Sequence, residues 1–347
     1  MKKPFIRFNN RYINSLIYIF VALVLSLALW IAEKPYEIRI PTDQQNIEVF
    51  STQNNDLRPT ILTAINQAKD SILLFGYTLK DYKVLEALRK KGEEGLKVQV
   101  IVDATATPHA EVALGPNVKI IKRFTSGLMH LKLLVIDQKY VFAGTANFTS
   151  DALLRQGNMV LGFNLPPLAK FIQAKADAMN ETSNQKDFPH QRYQFTNQTI
   201  EFWFLPDDYR GVSKIKELIQ SAKKSIHVAM FAWTRRDFAT ALVNAHNRGV
   251  KVDVVINHQS LREDSFAIAR YLKENGIEVR RSDGPHILHY KTMIVDDSIL
   301  VNGSANWTRK AFRENDDFFI VIDPLLASQA EVVSQIWKKI MQESIPW

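Results

Sequence analysis

Apolar positions fall along this chain in two rhythms. Short runs dense in Val, Ile, Leu and Phe read as buried strands, and stretches with apolar residues three and four apart read as helices. IEVF at Ile47 opens the first series. A helix over Leu57–Lys69 follows, with Leu57, Ile61, Leu62 and Ile65 on one face. Next come a strand at Ser71–Thr78, a helix at Val84–Lys91, and strands at Leu96–Asp103 and Val118–Phe124. A hairpin then begins near His130, before MVLGF at Met159–Phe163 and a helix around Leu168–Met179. From Ile200 the order returns: IEFWFLP, a helix at Val212–Lys223, and a strand at Ser225–Thr234. Helix Phe238–Arg248, strand Val250–Asn257, helix Ser265–Asn275 and strand Ile277–Arg281 come next. A second hairpin near His289, the strand Phe318–Asp323 and a helix at Ala327–Met341 close the series. Strands alternating with helices imply an α/β sandwich. Two matching series imply two similar α/β sandwich halves, 47–179 and 200–347, related by a pseudo-twofold axis. The polar stretch 180–199 lacks an apolar run and reads as the linker.

The repeat is sharpest at the hairpins. HLKLLVID at His130 is followed by GTANFT, and HYKTMIVD at His289 by GSANWT, 159 residues further on. Residues two apart on a strand share a face, so His130 lies beside Lys132 and His289 beside Lys291. Asp137 and Asp296 end their strands, where an aspartate most often serves a turn. The return strands, Tyr140–Ala143 and Ile299–Val301, lead to Gly144 and Gly303. There the backbone bends and carries Asn147 and Asn306 back toward the His–Lys face. Each hairpin thus presents an imidazole, an ammonium and an amide, and two facing hairpins present two of each. That set suits a phosphodiester. Ammonium and amide donors hold anionic oxygens, one imidazole attacks phosphorus, and the other protonates the leaving oxygen. The lysines already supply positive charge, so the chemistry requires no metal and no cofactor. A single such strand could carry a His and a Lys by chance; two copies matching in type and spacing do not.

These motifs resemble the phospholipase D superfamily, whose hallmark is HxK(x)4D followed by GSxN. The resemblance covers about residues 47–347, with Thr145 standing where Ser304 keeps the usual serine. It implies that one histidine forms a covalent phosphohistidine and the other acts as general acid, then as base. The family also places an acidic residue some 25 to 30 positions beyond the histidine, often reaching across to the other half. That resemblance points to Glu314, in RENDD, as the orienter of His130, which would then be the nucleophile. The first half reads RQGNM at the matching place and has no acid, so the half-sites are expected to be asymmetric. Asp103 and Asn257 end matching strands, where they either border the site or cap turns.

Composition changes this picture little. Apolar residues are 46% and charged residues 23%, as in ordinary folded proteins. The net charge of +8 favours an anionic partner without choosing one. The chain has no cysteine, which excludes disulfides and thiolate metal sites. The N-terminus matters more. Residues 1–11 carry Lys2, Lys3, Arg7 and Arg11 and no acid, and residues 12–32 carry no charge. That uncharged run is long enough to span a bilayer as a helix. The basic flank sets the N-terminus in the cytoplasm and the catalytic part on the extracytoplasmic, periplasmic side. The rival is a cleaved signal peptide with a site near Ser26-Leu27-Ala28 and secretion of the rest. Residues 33–46, with Pro35 and Pro41, read as a connector.

An anchor near lipid headgroups favours a hydrolase of phospholipids, with a phospholipid membrane as partner. The positive charge and compact halves keep a membrane-tethered nuclease open, with nucleic acid as substrate. A phosphatidyl transferase such as a cardiolipin synthase is a third reading. An inactive binding module would have lost a histidine or lysine, and all four are intact. No obligate protein partner is legible.

Overall fold

The computed structural model describes residues 19–21, 47–182, 187–195 and 197–347. The expected membrane span lies outside the described residues apart from Ile19–Val21, which are helical. Among the described residues, no helix is long and apolar enough to cross a membrane. From Ile47 onward the described residues belong to one compact unit.

Seven strands build the first sheet: β1 (Ile47–Ser51), β2 (Ser71–Gly76), β3 (Lys97–Asp103), β4 (Val118–Arg123), β5 (Lys132–Ile136), β6 (Tyr140–Gly144) and β7 (Met159–Asn164). Their spatial order is β1-β7-β6-β5-β2-β3-β4. Nine strands build the second: β8 (Gln191–Gln194), β9 (Thr199–Leu205), β10 (Ser225–Met230), β11 (Lys251–Ile256), β12 (Val279–Ser282), β13 (Lys291–Val295), β14 (Ile299–Gly303), β15 (Asp317–Asp323) and β16 (Ser344–Pro346). Its order, β16-β12-β11-β10-β13-β14-β15-β9-β8, repeats the first sheet strand for strand and adds one strand at each edge. Both sheets are mixed. β2 pairs parallel with β3 and antiparallel with β5, and β10 pairs likewise with β11 and β13. The edge strands β8 and β16 are additions to the expected series, and β8 lies inside the stretch read as a linker. At four and three residues, neither carries a periodic apolar signal.

Alternation along the strands sorts the core into layers. On β5, Leu133 and Val135 join a cluster that draws on both halves, while Leu134 and Ile136 face the first half's own helices. On β13, Ile294 faces the shared layer, and Met293 and Val295 face the second half's helices. Helices Pro166–Ala178 and Ala327–Gln342 also contribute to the shared layer, through Leu168, Ile172, Val333 and Ile336. The two halves are therefore joined by apolar packing, and the histidine hairpins sit at that junction.

Candidate active site

Each hairpin turns through two residues in the left-handed region: Asp137 and Gln138 at φ 53° and 50°, Asp296 and Asp297 at 52° and 54°. Two successive positive φ values make a type I′ turn, whose twist matches the flanking strands. The Asp137 carboxylate accepts backbone N–H bonds from Lys69, Asp70 and Ser71 at 2.8–3.1 Å. The Asp296 carboxylate does the same for Lys223, Lys224 and Ser225 at 2.7–2.9 Å. The motif aspartates thus tie each hairpin to the turn before β2 or β10. The segments that donate these bonds, QAKDSI at 67–72 and SAKKSI at 221–226, also match in sequence.

The motif glycines allow a close approach. A Cβ on Gly144 would lie 2.1 Å from the Met159 carbonyl, and one on Gly303 2.4 Å from that of Phe318. The next residue exploits that proximity. Thr145 Oγ1 accepts the Met159 N–H at 3.0 Å and donates to Asn158 Oδ1 at 2.8 Å. Ser304 Oγ accepts the Phe318 N–H at 3.1 Å and donates to Asp317 Oδ1 at 2.6 Å. Threonine and serine therefore do the same work here.

Asn158 and Asp317 each stand 28 positions beyond the histidine of their own half, and each crosses to the other half. His130 Nδ1–H donates to Asp317 Oδ1 at 2.8 Å, and His289 Nδ1–H donates to Asn158 Oδ1 at 2.9 Å. A carboxylate only accepts, so the His130 proton sits on Nδ1 and its Nε2 carries the lone pair. The expected asymmetry is present, and so is a carboxylate reaching across to His130. The residue is Asp317 rather than Glu314. Glu314 is exposed and caps the C-terminal end of the helix Arg309–Arg313. Asp317 opens β15 and is buried; Asn315 Nδ2 donates to its second oxygen at 3.2 Å.

Backbone bonds stitch the crossing in place. His130 N–H donates to the Asp316 carbonyl at 2.8 Å, and His289 N–H to that of Gly157 at 2.9 Å. The Asp103 carboxylate receives the Met129 N–H at 3.1 Å, and Asn257 Oδ1 the Leu288 N–H at 3.2 Å. These two strand-ending residues therefore hold the segments that present the histidines. Two aromatic rings, at the ends of β2 and β10, complete the walls. Tyr77 meets His130 edge-on at 5.1 Å, and Phe231 meets His289 at 5.0 Å. Lys132 lies 5.3 Å from the Tyr77 ring and Lys291 4.6 Å from that of Phe231.

Both lysines are buried, and each donates to the carbonyl of its own histidine at 2.8 Å. Asn147 and Asn306 are brought beside the same strand ends. Phe148 N–H bonds the Thr78 carbonyl, and Trp307 N–H that of Ala232. The Oδ1 atoms of both asparagines are buried without a hydrogen-bond partner in the protein.

Burying two ammonium groups among two imidazoles disfavours every positive charge in the cluster. Burial holds Lys132 down at about 7 and Lys291 well below the usual lysine range. Burial also lowers His130, with Lys132 adding to the effect and Asp317 opposing it. His289 is pushed further below its ordinary value by burial, then by Lys291, Lys132 and His130. Burial pushes the Asp317 carboxyl up, but His130 and Lys132 outweigh it and hold it below its ordinary value. The cluster is thus suited to receiving a negative charge. The residues the sequence reading missed are Asp317, Asn158, Tyr77 and Phe231. The first two could have been found by demanding the same offset from each histidine.

Comparison with known proteins supports the family resemblance that the motifs carry. A family profile described as "cardiolipin synthase, PLD-like domain" matches residues 61–180 and again 215–342. A mitochondrial cardiolipin hydrolase of Chlamydomonas reinhardtii is 29% identical over 129 residues, which is 37% of this chain and 57% of that protein. The chain therefore spans a little over half the length of that relative. Cardiolipin synthase 1 of Staphylococcus epidermidis is 26% identical over 349 residues, covering 87% of this chain and 69% of its own. The crystal structure of a phosphatidylserine synthase from Haemophilus influenzae superposes with a TM-score of 0.71 over 88% of both chains. At 14% identity that likeness shows a shared fold.

Proposed function

We propose that this chain, which belongs to the phospholipase D superfamily, is a phosphodiesterase that hydrolyses a phospholipid through a covalent phosphohistidine. The observation that carries the reading is the crossed pairing of two buried histidines, each with a lysine two residues on. His130, oriented by a carboxylate, is the nucleophile. Its Nε2 bonds phosphorus while the bond to the leaving oxygen breaks, and His289 Nε2 gives that oxygen a proton. Water then attacks phosphorus, His289 takes the water proton, and the P–N bond breaks to restore His130. Lys132, Lys291, Asn147 and Asn306 hold the non-bridging oxygens as charge develops on them.

The lipid assignment draws support from the cardiolipin hydrolase and cardiolipin synthase relatives. A second reading, transfer of the phosphatidyl group to an alcohol in place of water, is favoured by the match to cardiolipin synthase 1 across most of the chain. On either reading, residues 12–32 would hold the site near headgroups. The test uses the full chain with vesicles of phosphatidylglycerol and cardiolipin, a chelator, and H130A as control. Phosphatidic acid released by the wild type alone supports hydrolysis. Cardiolipin formed from phosphatidylglycerol supports transfer. Cleavage of single-stranded DNA beside inert vesicles would overturn the lipid assignment.

A further inference from the structure

Asn158 occupies the place that a carboxylate holds in the other half, and its surroundings leave its amide a single orientation. Nδ2 donates to the Ala152 carbonyl at 2.9 Å and to that of Gln156 at 3.2 Å. Oδ1 accepts from Thr145 Oγ1 at 2.8 Å and from His289 at 2.9 Å. Flipping the amide would set Nδ2 against two donors and Oδ1 against two carbonyls. Asn158 is itself buried, and its own N–H donates to Thr52 Oγ1 at 3.1 Å. The Oδ1 atom therefore always faces His289, whose Nδ1 always carries a proton. Only Nε2 of His289 is left to gain or lose one.

We infer that Asn158 is a positioning residue that makes His289 the acid of the pair, because it fixes the ring as a carboxylate would but lends it no negative charge. Resting on the phosphodiesterase reading above, the inference assigns the two histidines by their partners. His130 faces an anion, which favours the charged, phosphorus-bonded imidazole of the intermediate. His289 faces a neutral oxygen. The other groups around it are Lys291, Lys132 and His130, each of which disfavours a proton on it, and the Thr145 carbonyl, which favours one. The uncharged Phe231 ring closes one side. A proton on His289 Nε2 is thus weakly held and readily given to a poor leaving group such as an alkoxide. A carboxylate in place of Asn158 would tighten that hold, since an opposite charge in contact raises a histidine by about 1–3 pH units.

The experiment compares wild type, Asn158→Asp and His289→Ala in the full chain. It follows kcat/KM against pH on phosphatidylglycerol vesicles, whose leaving group is an alcohol, and on bis(p-nitrophenyl) phosphate, whose leaving group needs no proton. Expected is an alkaline limb moved up by about 1–3 units in Asn158→Asp on the lipid, with no matching shift on the nitrophenyl ester. An unmoved limb, or equal shifts on both substrates, overturns the inference. Full lipid turnover by His289→Ala would instead sink the two-histidine reading beneath it. Should Asn158→Asp not fold, Thr145→Val tests the same link, because it removes a bond that holds Oδ1. A loss confined to the lipid supports the inference, and an equal loss on both substrates refutes it.

Discussion

His130 and Asp317 are separated by 187 residues and belong to different halves, yet Nδ1 of one meets Oδ1 of the other at 2.8 Å. Neither half can therefore assemble this pair alone. Asp317→Asn keeps the shape but offers an amide that can present a donor to the wrong nitrogen. Replacing a carboxylate that orients a histidine by its amide can cost about 10⁴-fold in kcat. Glu314→Gln, at an exposed position three residues away, should leave turnover within about twofold, a surface change of the small kind. Steady-state rates of the two variants on one phospholipid substrate check both expectations.

Why the sequence pointed to Glu314 is physical. RENDD offers three acids in four positions, and any of them satisfies a spacing of 25 to 30. The choice is made by where the helix Arg309–Arg313 ends and β15 begins, and element boundaries are the least legible feature of a sequence. Thr308 caps that helix through the Ala311 N–H, the chain then turns, and Asp317 enters the sheet opposite Leu205. The duplication itself held the missing signal: 28 positions on, both halves carry a side chain that can accept from a histidine, Asn158 and Asp317, whereas at the offset of Glu314 the first half has Arg155. The succession of strands along the chain, the hairpins and the four His and Lys positions were legible because each appears twice in a strong apolar context; the order of strands within each sheet was not, since it rests on long-range pairing. Tyr77 and Phe231 were not, since an aromatic at a strand end reads as core. The edge strands β8 and β16 were not either, being too short to show a period.

Anion binding should fall as pH rises. Lys132 is held down at about 7, chiefly by burial, and Lys291 lies well below its ordinary value. A lysine is charged below its pKa and neutral above it. Inorganic phosphate should therefore bind tightest below about pH 7 and weaken above it. Binding near neutrality should draw protons from the buffer, because the arriving anion restores the lost charge. Calorimetry in buffers of different ionisation enthalpy reads that uptake directly. An affinity flat from pH 6 to 9 would show that both lysines stay charged.

Chelation should leave turnover intact. On the reading proposed above, two lysines, which regain their charge as the anion arrives, and two asparagine N–H donors do for the non-bridging oxygens what a metal would do. Lys132→Met or Lys291→Met should then lose about 10²–10³-fold or more, on the scale of removing a preorganised donor. Rates measured with and without EDTA, and again after adding back a divalent ion, decide the point. Loss that the metal restores would contradict the assignment.

The two junctions that hold the histidines differ in one more respect. Arg123 is buried at 2% exposure, and its guanidinium bonds Asp316 Oδ2 through Nη2 at 3.0 Å and also reaches the Asn180 carbonyl. Seven residues before the other histidine the chain has Ser282, and opposite it Gly157 takes the place of Asp316. A buried ion pair is thus present on one side of the pseudo-twofold and absent on the other. Arg123→Ser should leave the Asp316 carboxylate buried without its partner, at a cost of about 3–5 kcal/mol. The Asp316 carbonyl also holds the His130 N–H, so turnover should fall with stability. Adding Asp316→Gly copies the second junction onto the first and removes the stranded charge. The double variant should then recover most of the loss, since replacing both members of a buried pair is often near neutral. Urea unfolding of the two variants measures this. A double variant no more stable than Arg123→Ser would mean that the arginine acts through packing and its bond to Asn180 rather than through its pair with Asp316.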